Sequence, residues 1–247
     1  MEEKLPEREI KPRGSVAGKL ENFWYHYKWH TLIVLFILLV MTVCTLQMCK
    51  KESYDVYALY AGPTDVSKIS DGGIPPYSAM LSALKKMAAD RDGDGAASPA
   101  FDTLFVMTNA EIDAYREAHK DDGTEPNVTK IKENLSVLEA DILYGDYYVC
   151  FLSESLYNIY KTRDGVDLFV PLADYVGDAD VEYVDACAVR LSSTAFGASP
   201  GFADLPADTV ICLRALTEVK NSGLGAKRNR ALFTAAEETV KNIFAMG

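Results

Sequence analysis

The sequence predicts an α/β protein: one N-terminal transmembrane helix, then an extracytoplasmic α/β domain with a mainly parallel, mixed sheet. Three observations carry this. The stretch Trp29–Met48 holds no Asp, Glu, Lys or Arg between Lys28 and Lys50. A helix rises about 1.5 Å per residue, so roughly 20 such residues cross the ~30 Å hydrocarbon layer of a bilayer. Beyond it, short runs of strand-forming residues alternate with segments of helical periodicity through the first two-thirds of the domain, the pattern of strand–helix–strand units. Finally, charge divides the chain. Residues 1–51 carry eight Lys/Arg against five Glu, a net of +3, whereas the remainder is at −14.

The expected organisation is a cytoplasmic tail over 1–22, a transmembrane helix with an aromatic belt over 23–49, and an extracytoplasmic domain over 52–247. Residues 1–15 are charged, carry two prolines and have too little apolar content to bury a core, so disorder is expected. Ser15 is a candidate N-cap for a helix running to Lys28. That helix ends in Phe23-Trp-Tyr-His-Tyr-Lys-Trp29, which contains both tryptophans of the chain. Amphipathic rings favour the headgroup region, so the run reads as an interfacial belt. Six of the eight basic residues of the first 51 precede the span, which predicts a cytoplasmic N-terminus. The alternatives are a cleaved signal peptide and a lipid-modified cysteine. The region before the span is long for a signal peptide, no small-x-small cleavage site follows, and Val43 and Met48 stand before Cys44 and Cys49 where a lipoprotein needs a small residue.

In the domain, Tyr54–Tyr60 alternates as a strand and ends at an Ala-Gly-Pro-Thr turn, and Gly72–Pro76 reads as a loop. Leu81, Leu84 and Met87 place a helix over Ser78–Ala89. Phe101–Met107 reads as a strand. Asn109 is expected to cap a helix to about Lys120, and Ile131, Leu135 and Leu138 mark another over Val128–Ala140. Tyr147–Leu152 is a continuous apolar run, as in a central strand. Ser153 caps a short helix to Lys161, and Asp164-Gly165 turns the chain. Ala186–Leu191 and Thr209–Arg214 are further strands, and an amphipathic helix over Ala231–Met246 closes the chain.

Between helix and strand lies Asp90-Arg-Asp-Gly-Asp-Gly95. Acidic residues at positions 1, 3 and 5 with Gly at 6 open an EF-hand-type calcium loop, because a hard cation needs converging oxygens and the glycine permits the tight turn. Asp90, Asp92 and Asp94 are therefore candidate calcium ligands. Position 12 is Phe101 where a bidentate Glu is needed, so the competing expectation is a plain acidic turn.

Other chemistry is not legible. The sequence lacks G-x-G-x-x-G, P-loop, G-x-S-x-G, H-E-x-x-H and C-x-x-C patterns. His119 stands alone outside the membrane-proximal region, in a charged helix end. Cys150, Cys187 and Cys212 sit in apolar runs and read as buried free thiols. Lys227-Arg-Asn-Arg230 reads as a solvated helix start. Tyr144, Tyr147, Tyr148, Tyr157 and Tyr160 either line a ligand cleft or pack in core and interface. The acidic domain repels nucleic acid and anionic lipid surfaces, which excludes nucleic acid as a partner and leaves the membrane, through one span, and a ligand or protein outside as the expected partners.

Two resemblances follow. The segment from Ala140-Asp-Ile-Leu through Tyr147–Leu152 and Ser153-Glu-Ser-Leu-Tyr to Val166–Tyr175 resembles part of extracellular solute-binding proteins. The whole chain resembles uncharacterised single-span membrane proteins of Gram-positive bacteria, through Phe23-Trp-Tyr-His-Tyr-Lys-Trp-His30 and the Asp92-Gly-Asp-Gly95 loop. The first implies a solute-binding-like module acting without catalysis and without an obligate cofactor. The alternative expectation is an interaction ectodomain of a membrane or cell-envelope complex.

Overall fold

A computed structural model describes residues 16–49, 54–66, 76–121, 123–163, 165–223 and 225–246. The expected disordered tail over 1–15, Lys50 and Lys51, Asp164 and the loop positions 72–75 lie outside these residues. The chain divides into two compact units, Met1–Ser53 and Tyr54–Gly247.

Among the described residues the first unit is a single helix, α1 (Val16–Cys49). Its segment Phe23–Thr45 is long and apolar enough to cross a membrane, and none of it is buried against other protein. Leu32–Met41 expose apolar side chains on every side. A helix that is apolar all round needs an apolar surrounding.

The second unit runs β1 (Val56–Gly62), α2 (Pro76–Met87), β2 (Pro99–Phe105), α3 (Asn109–Ala118), α4 (Val128–Tyr144), β3 (Val149–Ser153) and α5 (Glu154–Tyr160). A small hairpin, β4 (Thr162–Arg163) with β5 (Val166–Asp167), is followed by α6 (Ala173–Val176), β6 (Tyr183–Asp185) and β7 (Ala188–Arg190). Two 3₁₀ turns then lead to β8 (Thr209–Leu213), α7 (Glu218–Asn221) and α8 (Ala226–Phe244). Among the described residues the main sheet has six strands in the order β2-β1-β3-β8-β7-β6.

The expectation of a mainly parallel sheet is corrected here. β1 pairs in parallel with β2 and β3, but the β3–β8, β8–β7 and β7–β6 pairs are antiparallel. The helices α2 and α4 supply the long crossovers that parallel neighbours need. After β5, only the one-turn α6, one-turn 3₁₀ segments and irregular chain connect the strands. The strand Tyr183–Asp185 is too short and polar to show an alternating pattern.

Side-chain alternation sorts the sheet into two faces. Ala58, Tyr60, Phe101, Phe151, Ile211 and Leu213 pack with Met80 and Leu84 of α2 and with Leu232, Ala236 and Val240 of α8. Leu59, Ala61, Cys150, Leu152, Val210 and Cys212 pack with Leu138 and Ile142 of α4 and with Leu156 and Tyr157 of α5. β3 and β8 are buried on both faces, which explains their unbroken apolar runs.

Helix ends follow their local chemistry with shifts of a few residues. The cap of α3 is Thr108, not Asn109: its side chain accepts from the Glu111 N–H while the Glu111 carboxylate accepts from the Thr108 N–H. Asn127 caps α4 and Ser153 caps α5. α4 continues to Tyr144 because Ile142 still faces the core, and α8 starts early, at Ala226, so Lys227 and Arg230 lie within its first turns.

Candidate functional site

The acidic loop between α2 and β2 folds on itself. Asp90 accepts from the Gly93 N–H through Oδ1 (2.7 Å) and from the Gly95 N–H through Oδ2 (2.8 Å). Asp92 accepts from the Asp94 N–H (3.1 Å), and Asp94 from the Ala96 N–H (2.8 Å). Gly93 and Gly95 have φ of +76° and +86°, which residues with a Cβ rarely adopt, so these two glycines permit the turn. The bonds from Gly95 and Gly93 hold the Asp90 carboxyl below the usual carboxylate range.

Of the three candidate calcium ligands, Asp90 and Asp92 come together and Asp94 does not join them. The third member is Asp55, at the start of β1: one carboxylate oxygen from each of Asp55, Asp90 and Asp92 lies within 4.8 Å of the others. Asp55 is 1% exposed and accepts from the N–H groups of Ser98 (2.8 Å) and Arg91 (3.3 Å). Its place was invisible in the sequence because it stands 35 residues before Asp90, and only the β1–β2 pairing brings the two together. These carboxylates could offer hard oxygen ligands, and they already serve as acceptors that tie the loop to the sheet.

The tyrosines of 144–160 do not share a cleft. Tyr144 is exposed, and the Tyr147 hydroxyl donates to Asp102 of β2. Tyr148 is buried under the Arg214 guanidinium. Tyr157 donates to Asp185 (2.6 Å), which also accepts from the Cys187 N–H (2.9 Å) and from Lys161 Nζ (3.4 Å). Burial and the bond to Asp185 push the Tyr157 hydroxyl well above its ordinary value. Tyr157, Lys161, Asp167, Asp185 and Cys187 line a small open cavity of about 260 Å³. Burial, with Asp185 and Asp167 nearby, raises the Cys187 thiol, the opposite of what a nucleophile needs. His119 stacks on Tyr115, with Nδ1 2.9 Å from the Tyr115 carbonyl oxygen, so it is a helix-end side chain.

A larger concavity, about 550 Å³, lies on the opposite face of the sheet. Ser82, Ala83 and Lys86 of α2 form one wall, Ala198 and Pro200 another, and Met246 closes one end. Small side chains make the groove, and Lys86 gives it one charge. Sequence reasoning missed it because its walls come from segments more than 100 residues apart, none with a chemical signature.

The architecture is that of a mixed-sheet α/β domain following one membrane-length apolar helix, with an acidic loop at one sheet corner and a small-residue groove on one face. Comparison with protein-family models, with curated proteins and with solved structures finds no match to the chain.

Proposed function

We propose that the chain is a single-pass membrane protein, N-terminus in the cytoplasm, whose extracytoplasmic domain acts as a recognition module without catalysis. The supporting observation is the contrast between the groove and the reactive side chains. The groove is open and lined by Ser, Ala, Met and Pro with Lys86. Its volume falls within the few hundred to a thousand Å³ of small-molecule sites. Several side chains able to do proton chemistry are engaged away from the groove: Tyr147 with Asp102, Tyr157 and Lys161 with Asp185, Lys220 and Arg228 with Asp146. The membrane-length apolar helix, with most of the basic residues of the first 51 before it, and the acidic character of the domain support the tethered, outward arrangement. The test is calorimetry of the full chain in detergent against sugars, amino acids and short peptides. Binding that is lost in Ser82→Trp, which fills the groove, supports the proposal, and silence across the panel overturns it.

The second reading is an interaction ectodomain of a membrane or envelope complex. The dispersal of the five tyrosines favours it, since a shared aromatic cleft was the feature that would have marked a solute site.

A further inference from the structure

We propose that the groove between α2 and the 195–200 turn takes the C-terminal end of a short apolar peptide, its carboxylate paired with Lys86 and its backbone bonded to the Ser199 hydroxyl. This rests on the recognition function proposed above and names the ligand class of that site.

Two polar side chains of the groove are unsatisfied. Ser199 is 8% exposed and lines the wall that faces α2. Its backbone is engaged: the N–H donates to the Phe196 carbonyl, and the carbonyl accepts from the Phe202 and Ala203 N–H groups. Its hydroxyl meets no hydrogen-bonding partner among the described residues. Neighbouring hydroxyls are satisfied: Ser193 donates to the Arg190 carbonyl (2.7 Å) and Thr194 to the Leu191 carbonyl (2.7 Å). On the facing helix, Ser82 donates to the Ser78 carbonyl (2.7 Å). A hydroxyl taken from water without a partner is costly, so Ser199 gains from a ligand that bonds it. The second side chain is Lys86, which has no ion pair or hydrogen bond among the described residues. Lys85 and Lys86 both stand in the last turn of α2, where the helix dipole favours a cation, but only Lys86 lines the groove. Among the described residues that lining includes no Asp or Glu.

Spacing and chemistry select the occupant. The chain after Ser199 abuts the start of α2: a Cβ on Gly201 would lie 2.8 Å from the Pro76 carbonyl oxygen and 2.9 Å from the Met80 nitrogen. Lys86 lies at the other end of α2, near Met246. The two unsatisfied groups therefore mark opposite ends of the groove. From Ser78 to Lys86 the helix axis advances about 12 Å, the reach of roughly three or four extended residues. Between them the walls are small and apolar, with Ala79, Ala83 and Ala198. A fatty carboxylate would pair with Lys86 and leave Ser199 unbonded. A free amino acid would bring an ammonium group that no acid in the lining receives. A sugar would find no aromatic face there. A peptide end supplies a carboxylate, apolar side chains and backbone amides together. Repulsion from the acidic domain is screened beyond about 8 Å at physiological salt, so the unpaired Lys86 governs the field inside the groove.

The test is calorimetry of the full chain in non-ionic detergent with acetyl-Ala-Val-Ala as the free acid. Saturable binding is expected. It should weaken about tenfold for the C-terminal amide of the same peptide and about tenfold in Lys86→Gln, while Lys86→Arg and Lys85→Gln retain it. Ser199→Ala should weaken it about threefold. Lys85 and Lys86 are exposed, so their variants keep the fold, and the amide peptide leaves the protein unaltered. Equal binding of acid and amide, or binding indifferent to Lys86→Gln, overturns the proposal. Octanoate binding as tightly as the peptide overturns it in favour of a plain carboxylate. If no peptide binds but a sugar or amino acid does, and Ser82→Trp abolishes that binding, the peptide class falls and the recognition function stands. Silence from every ligand removes both.

Discussion

The Arg214 guanidinium carbon lies 4.7 Å from the centroid of the Tyr148 ring, with Arg214 1% exposed and Tyr148 fully buried. Arg214 donates to the carbonyls of Tyr147 (2.8 Å), Ile142 (3.1 Å) and Gly145 (2.5 Å). One side chain thus joins the end of β8, the start of β3 and the C-terminal carbonyls of α4, where the helix presents its negative end. Burial lowers the Arg214 pKa, yet a guanidinium stays protonated in proteins, so the charge is held by carbonyl dipoles and the ring face. Arg214→Met should cost about 3 kcal/mol, because the buried Ile142 and half-buried Tyr147 carbonyls lose a charged donor, while Gly145 keeps Lys220. Tyr148→Phe should be neutral or slightly stabilising, since the buried Tyr148 hydroxyl has no partner among the described residues. Urea denaturation followed by circular dichroism checks both, and a mild Arg214→Met would refute the tie.

Acid should weaken the Asp90 loop. The Asp90 carboxyl is depressed by the Gly95 and Gly93 N–H groups, so its folded pKa lies below its unfolded one. Such a group contributes stability that is fully present above the unfolded pKa of about 4 and is lost as pH falls through the folded pKa. The gap in melting temperature between the natural chain and Asp90→Ala should therefore be constant near pH 6 and close as pH falls below about 4. A gap independent of pH would mean that the carboxylate is not what holds the turn.

Calcium affinity at this corner should be weak, because the carboxylates of Asp55, Asp90 and Asp92 already accept backbone N–H bonds. At a Kd of about 1 mM, typical of extracellular modules, 1 mM calcium adds about 0.4 kcal/mol, or ~1 °C in a domain of this size. Calorimetric melting in calcium and in chelator should differ by that amount in the natural chain and by nothing in Asp92→Asn. A shift that survives Asp92→Asn would place the cation elsewhere.

Thiol reactivity should rank by burial. Cys150 and Cys212 are cross-strand neighbours in the core, and burial raises the Cys212 thiol well above its ordinary value. Cys187 is half-buried. With Cys44 and Cys49 replaced by Ser, a thiol reagent should modify Cys187 slowly at neutral pH, faster as pH rises, and leave Cys150 and Cys212 untouched until the chain unfolds. Equal rates for all three would contradict the core assignment.

The anchor has its own test. The chain should stay with the membrane after an alkaline wash, and paired Leu35→Asp and Leu39→Asp substitutions should release it, at about 2.5–3.5 kcal/mol each near the bilayer centre. Retention of the doubly substituted chain would argue against a spanning helix.

Much of the architecture was legible because it is written in local periodicity. Thr209–Arg214 and Tyr147–Leu152 read as core strands because both of their faces are buried, and Ile131 and Leu138 mark α4 because one side of that helix meets the sheet. The mainly parallel sheet was misjudged because strand direction is not a local property. β8 returns antiparallel to β3 from 56 residues away, guided by packing between the faces. At the candidate site, the Asp90–Gly95 pattern was visible as spacing, but Asp55 was not.

By itself, the sequence determined the membrane-length helix, the acidic character of the domain, and most strand and helix positions, since each rests on composition or on periodicities of two and 3.6 residues. Only the tertiary structure decided that Asp55 replaces Asp94 beside Asp90 and Asp92, that Arg214 caps α4 over the Tyr148 ring, and that β8 pairs antiparallel with β3. Those relationships join residues tens of positions apart, and chain order carries no record of which strands become neighbours. The Trp29–Met48 stretch is legible because membrane length and apolarity are properties of a continuous run, whereas the groove exists only where segments far apart in the chain are brought together.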